Sequence, residues 1–70
     1  MSGVRKRSVS IRGHRTSFSL EDEFHDELAR LASETGQPLA AVIAAIDEAR
    51  PRDWSLSSAI RIHVLRALKA

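Results

Sequence analysis

Arg15-Thr-Ser-Phe-Ser-Leu20 is the stretch on which the fold turns, because its polar and apolar side chains alternate and the pattern then changes at once to that of a helix. Thr16, Phe18 and Leu20 fall on one face of an extended segment, and Arg15, Ser17 and Ser19 on the other. A lone strand cannot satisfy its own backbone N–H and C=O groups, and even an isolated pair is marginal in water. The sequence offers two partners. Arg7-Ser-Val-Ser-Ile-Arg12 also alternates, with Val9 and Ile11 on one face, and Gly13 can supply the positive φ of a hairpin turn about Arg12-Gly13-His14. Alternatively, residues 7–12 continue as an extended arm kinked at Gly13, and the partner is the same strand of a second copy. Two copies would then present Arg15, Ser17 and Ser19 in duplicate from one face of an antiparallel ribbon. Such a ribbon fits the DNA major groove.

Seventy residues make one domain, but a chain this short buries little of its surface and gains little from a single core. There is no cysteine, so neither disulfides nor a thiolate zinc site can add stability. A core shared between two chains is the expected remedy. No apolar run approaches the roughly 20 residues of a membrane span, and no signal-peptide segment follows the basic N-terminus, which predicts a cytoplasmic protein without a membrane partner.

Charge is distributed unevenly. Residues 1–20 carry Arg5, Lys6, Arg7, Arg12 and Arg15 without one acid, whereas residues 21–34 carry six acids against Arg30 alone. We read residues 1–6 as a flexible basic arm and residues 7–70 as the folded domain. Arg5, Lys6, Arg7 and Arg12 are candidate phosphate-binding residues. The acids Glu21, Asp22 and Glu23 sit where a helix macrodipole favours anions.

From Asp22, Phe24, Leu28, Leu31 and Ala32 form one stripe at helical spacing, and Thr35-Gly36 followed by Gln37-Pro38 ends it. Leu39, Val42, Ile43 and Ile46 mark a second helix whose alanines allow close approach; Pro51 stops it. Ser55 or Ser57 caps a third helix over about residues 56–69, with Leu56, Ile60, Val64 and Leu68 on one stripe and Ile62 and Leu65 on another. Trp54 is expected to anchor the preceding loop in the core. No internal repeat or low-complexity segment is read along the chain.

Strand, helix, Gly turn and alanine-rich second helix, in that order, resemble the ribbon-helix-helix proteins of the Arc and MetJ repressor class. Closer still is the resemblance of Lys6-Arg-Ser-Val-Ser-Ile-Arg-Gly-His-Arg-Thr-Ser-Phe-Ser-Leu-Glu21, Ile46-Asp47 and Leu56-Ser-Ser-Ala-Ile-Arg61 to a small bacterial family of ribbon-helix-helix domains, over about residues 6–68. The resemblance implies a mainly α fold: an N-terminal strand or hairpin, two core helices and an additional C-terminal helix, assembled as an intertwined homodimer. It implies double-stranded DNA as partner and transcription regulation as role. Arg15, Ser17 and Ser19 would read bases, and Arg15 could pair with guanine O6 and N7. Phe18, Leu20, Phe24, Leu28, Val42, Ile43 and Ile46 would form the dimer core. The free N–H groups at Leu39, Ala40 and Ala41 would hold a phosphate, although Gln37-Pro38 replaces the small hydroxyl cap common there.

The rival reading is a protein-interaction module, antitoxin-like or adaptor, that uses the same fold and offers its apolar C-terminal helix to a protein partner. His14, His25 and His63 match no metal-ligand spacing, and no nucleophile, carboxylate pair or Gly-rich phosphate loop stands out. The sequence therefore predicts no enzyme, metal or cofactor.

Overall fold

The turn at Arg12 and Gly13 settles which strand is the partner. In the computed structural model, which describes residues 3–70, both take positive φ, 50° and 81°. Two such residues in succession make a type I′ turn, whose twist matches that of the flanking strands. The chain folds back on itself as an antiparallel hairpin of β1 (Val4–Ile11) and β2 (His14–Glu21). Three helices follow: α1 (Asp22–Glu34), α2 (Leu39–Ala49) and α3 (Leu56–Lys69). Strand β1 begins earlier than the alternation from Arg7 indicated. Residues 4–6, read as part of a flexible arm, are therefore in the sheet, because backbone pairing with β2 continues to Glu21. Residues 1 and 2 of that arm lie outside the described residues.

Arg12 is strained where it stands, since a left-handed conformation costs an L-residue about 1–2 kcal/mol. Its exposed ion pair with Glu48, at 3.0 Å, returns at most about 1 kcal/mol. Asn tolerates this conformation, and Asn-Gly is the favoured sequence of the turn. Arg12→Asn is expected to raise the unfolding free energy by about 0.5–1 kcal/mol, seen as a higher urea midpoint. A lower midpoint would mean that the Glu48 pair outweighs the strain.

Each helix ends for a local reason. After Thr35, Gly36 takes φ 69°, its N–H donates to the Ser33 carbonyl at 3.1 Å, and the Gln37 N–H reaches the Ala32 carbonyl at 3.0 Å. That is a Schellman closure. Beyond α2, the Arg52 guanidinium donates to the Asp47 carbonyl at 2.6 Å and to the Arg50 carbonyl at 2.7 Å, which satisfies acceptors the helix leaves open. Ser55, not Ser57, caps α3: its hydroxyl accepts the Ser58 N–H at 3.1 Å.

The deepest side chains are Leu20 of β2, Leu28 of α1, Ile43 of α2, and Ile60 and Val64 of α3, so every helix meets the underside of the hairpin in one core. Trp54 packs against its margin. The seven residues read as a dimer core all find partners inside one chain: Phe18, Leu20, Leu28, Val42, Ile43 and Ile46 are buried, and Phe24 is partly buried against them. The expectation of a shared core rested on the shortness of the chain and on the resemblance, with Phe18 and Leu20 placed in it. The hairpin and α3 cover both within one chain.

Candidate functional site

Directly opposed residues of an antiparallel pair share a face, so the register sorts the hairpin's side chains. Arg5, Arg7, Val9 and Ile11 lie with Leu20, Phe18, Thr16 and His14 on the helix side. Lys6, Ser8 and Ser10 lie opposite Ser19, Ser17 and Arg15 on the outer side, with Val4 opposite Glu21 at the open end. The N–H of Ser19 donates to the Ser57 hydroxyl of α3 at 3.0 Å and not across to β1. The outer pairs are therefore the non-hydrogen-bonded ones, with side chains closest together.

The outer face is open over most of its length. Lys6, Ser8, Ser10, Arg15 and Ser17 are exposed, whereas Ser19 and Glu21 are half-buried beside the start of α3. The additional helix thus borders this face at one end and leaves the rest uncovered. Arg15 reaches across the strands, its Nη2 donating to the Ser8 hydroxyl at 2.9 Å. One of five guanidinium N–H groups is engaged there, and four remain for a ligand.

The basic residues read as a phosphate-binding set separate into different roles. Arg7 turns inward, its side chain only 19% exposed, and donates to the Asp22 carboxylate at 2.6 Å and to the Leu20 carbonyl at 3.3 Å. It ties β1 to the junction of β2 and α1 and is withdrawn from any ligand. Arg7→Ala is expected to cost about 1–2 kcal/mol of stability in a urea titration, by loss of charge-assisted hydrogen bonds at a partly exposed site. A neutral result would return Arg7 to the surface set. Arg5 pairs with the same Asp22 at 3.2 Å but stays 68% exposed, and Arg12 pairs with Glu48. Lys6 takes no partner among the described residues. The charge asymmetry of the sequence is thus partly consumed within the chain, as Arg5 and Arg7 meet Asp22 at the start of α1 and Arg12 meets Glu48 of α2.

At the other edge, Glu21 is held by Arg61 at 3.1 Å, and the Arg61 guanidinium lies 6.0 Å from the Phe24 ring centre. The Glu21 backbone N–H, and then Arg61, hold its carboxyl below the ordinary value of 4.5. A depressed folded-state pKa stabilises the fold above the unfolded value, and this contribution is lost as pH falls through the folded one. At the start of α2, Ala41 and Val42 donate to the Pro38 carbonyl at 3.0 and 3.2 Å. Only Leu39 and Ala40, of the three N–H groups expected to be free, keep theirs unbonded. No side chain caps that end.

Sequence reading placed Arg15, Ser17 and Ser19 on one face but did not single out Ser8 and Ser10, and it assigned Lys6 to a flexible arm. The register also exposes a repeat that was not read: Lys6-Arg-Ser-Val-Ser-Ile11 and Arg15-Thr-Ser-Phe-Ser-Leu20 share the order cation, any residue, Ser, apolar, Ser, apolar. Choosing the hairpin from Gly13 would have found both. Among the described residues, no group of three or more His, Asp or Glu side chains is placed to hold a metal ion, and no helix is long and apolar enough to cross a membrane.

The family model described as ribbon-helix-helix domain matches residues 4–68. No curated protein and no solved structure matches the chain.

Proposed function

Because the chain belongs to the ribbon-helix-helix domain family, we propose that it is a regulator that lays the outer face of its hairpin in the major groove of double-stranded DNA. The observation that carries this reading is the open polar face itself: hydroxyls and cations project from a two-stranded ribbon whose underside is anchored on three helices. Arg15 supplies paired donors for guanine, while Ser17 and Ser19 donate or accept and discriminate less. Lys6 and the exposed Arg5 meet backbone phosphates, as do the free N–H groups of Leu39 and Ala40. Regulation of transcription is the process that such binding serves. A homodimer enters this reading as a pair of complete hairpins, because Phe18 and Leu20 are covered without a second chain.

The protein-interaction reading is not favoured. Leu56, Ala59, Ile60 and Val64 spend most of the apolar surface of α3 inside the chain. Exposed Leu65 and Leu68, and an open groove along α2 and α3 lined by Ile46, Ala49, Trp54, Ile62 and Ala67, are what remain.

Titration of a duplex pool at several salt concentrations tests the proposal. If one chain neutralises about 3 phosphates, log K falls against log salt with a slope of about −3; a dimer engaging about 6 gives about −5. A folded protein that binds no duplex even at low salt would overturn the reading.

A further inference from the structure

The groove between α2 and α3 is used neither by the core nor by the hairpin. Along α3, Ala59, Ile62, His63, Arg66 and Ala67 recur at steps of three, one, three and one, so they form a single stripe on the α2 side. Ile46 and Ala49 of α2 stand across from it, and the small alanines of both helices keep the space open. Its floor is Ile46 and Ala59, 8% and 6% exposed, and its volume of about 670 Å³ falls in the range of small-molecule sites, about 300–1,000 Å³. The loop that joins the two helices closes one end with Pro51 and Trp54. That end is fixed, since Arg50 donates through Nε to Asp47 at 2.8 Å and through Nη1 to the Trp54 carbonyl. From Ala59 to Arg66, in the last turn of α3, the groove runs about 10 Å. Among the described residues no carboxylate lines it. Asp47 already neutralises Arg50, whereas Arg66 is exposed and has no hydrogen bond or ion pair among the described residues. Glu34, in the adjoining groove beside α1, is held by Arg30.

We propose that this groove binds a small amphiphilic carboxylate of medium chain length. The apolar chain lies over Ile46, Ala59 and Ile62 and ends against the Trp54 ring, and the carboxylate meets Arg66 at the open end. Two observations select this occupant. The only unpaired charge on the groove is a guanidinium, whose planar donors match a carboxylate in paired hydrogen bonds, so a neutral or cationic ligand would leave it unanswered. The closed end and the length of about 10 Å admit a short chain, whereas a stable protein partner needs about 800 Å² on each side, which so short a groove does not offer. The site shares no residue with the outer face of the hairpin, so it stands independently of the DNA-binding reading.

Trp54 is the one tryptophan of a chain without tyrosine, so its emission reports the groove directly. Titration of the full chain with decanoate, below the concentration at which decanoate forms micelles, should change that emission saturably at one ligand per chain. It should also raise Tm progressively, because a ligand of the native state stabilises it. Decanol and decyltrimethylammonium carry the same tail and should bind about 5-fold more weakly or worse. Arg66→Ala should weaken decanoate about 5-fold with little change for decanol, and Arg66→Lys should recover part of the loss. Ala67→Leu, which fills the groove, should weaken decanoate and decanol together, with its urea midpoint as the folding control; if it fails to fold, the exposed Arg66 variants still decide the matter. Equal affinity for the three amphiphiles, or full decanoate affinity in Arg66→Ala, would overturn the inference. So would a response that never saturates while Tm falls, which marks detergent action. A ligand-free emission that depends on protein concentration, with a sedimenting dimer that Ala67→Leu disperses, would assign the groove to a second copy and overturn it as well.

Discussion

Phe18→Ala is expected to leave the chain largely unfolded at room temperature. Phe18 is 6% exposed and lies between the underside of β2 and the helices, so truncation removes its transfer free energy and leaves a cavity. Buried Phe→Ala changes cost about 3–5 kcal/mol, about what a single core of this size supplies in total. Circular dichroism during urea titration reads the loss directly. Ser17→Ala, on the outer face of the same strand, is the control and should stay within about 0.5 kcal/mol of wild type. A cooperatively folded Phe18→Ala variant with near-native stability would mean that the hairpin does not depend on the helices beneath it.

Arg15→Ala should carry the largest functional effect of any single surface change. Its guanidinium is exposed at the centre of the outer face, tethered at one N–H by Ser8 and otherwise free. Loss of a paired contact to guanine costs about 1–3 kcal/mol of discrimination, or roughly 5- to 150-fold at one base position. Removing a cation that meets only phosphate weakens all sequences alike. Competition between the preferred duplex and a single-base variant separates these outcomes, and stability should be unchanged because the side chain supports no buried group. Equal losses for both duplexes would assign Arg15 to the phosphates and leave base reading to the serines.

Much of the helical fold was legible because it follows from short-range rules. The stripe Phe24, Leu28, Leu31 and Ala32, the stop at Gly36, and the break at Pro51 fix α1 and α2 to within a residue of the observed ends. Ser55 was one of two caps open for α3, and the choice depended on the fold. Ser57 is drawn to the Ser19 N–H, thirty-eight positions away in sequence, which no local pattern signals. The basic residues were harder. Composition places Arg5, Arg7 and Arg12 together, but alternation turns Arg7 inward, and only the packed structure brings Asp22 and Glu48 within reach of these side chains.

The partner strand was left open by sequence for a physical reason. An alternating segment pairs equally well with a strand of its own chain or of another, because backbone hydrogen bonds carry no identity. The type I′ turn at Arg12-Gly13 decides it locally, yet with Arg in a strained conformation the turn holds only when tertiary packing supports it. By itself, the sequence determined the order of elements, the apolar faces and the polar face of β2, all through periodicities of two and 3.6 residues. Tertiary structure alone decided that Phe18 and Leu20 are covered within one chain, and which cations remain free. Each of those outcomes depends on contacts between segments distant in sequence, and periodicity records only neighbours.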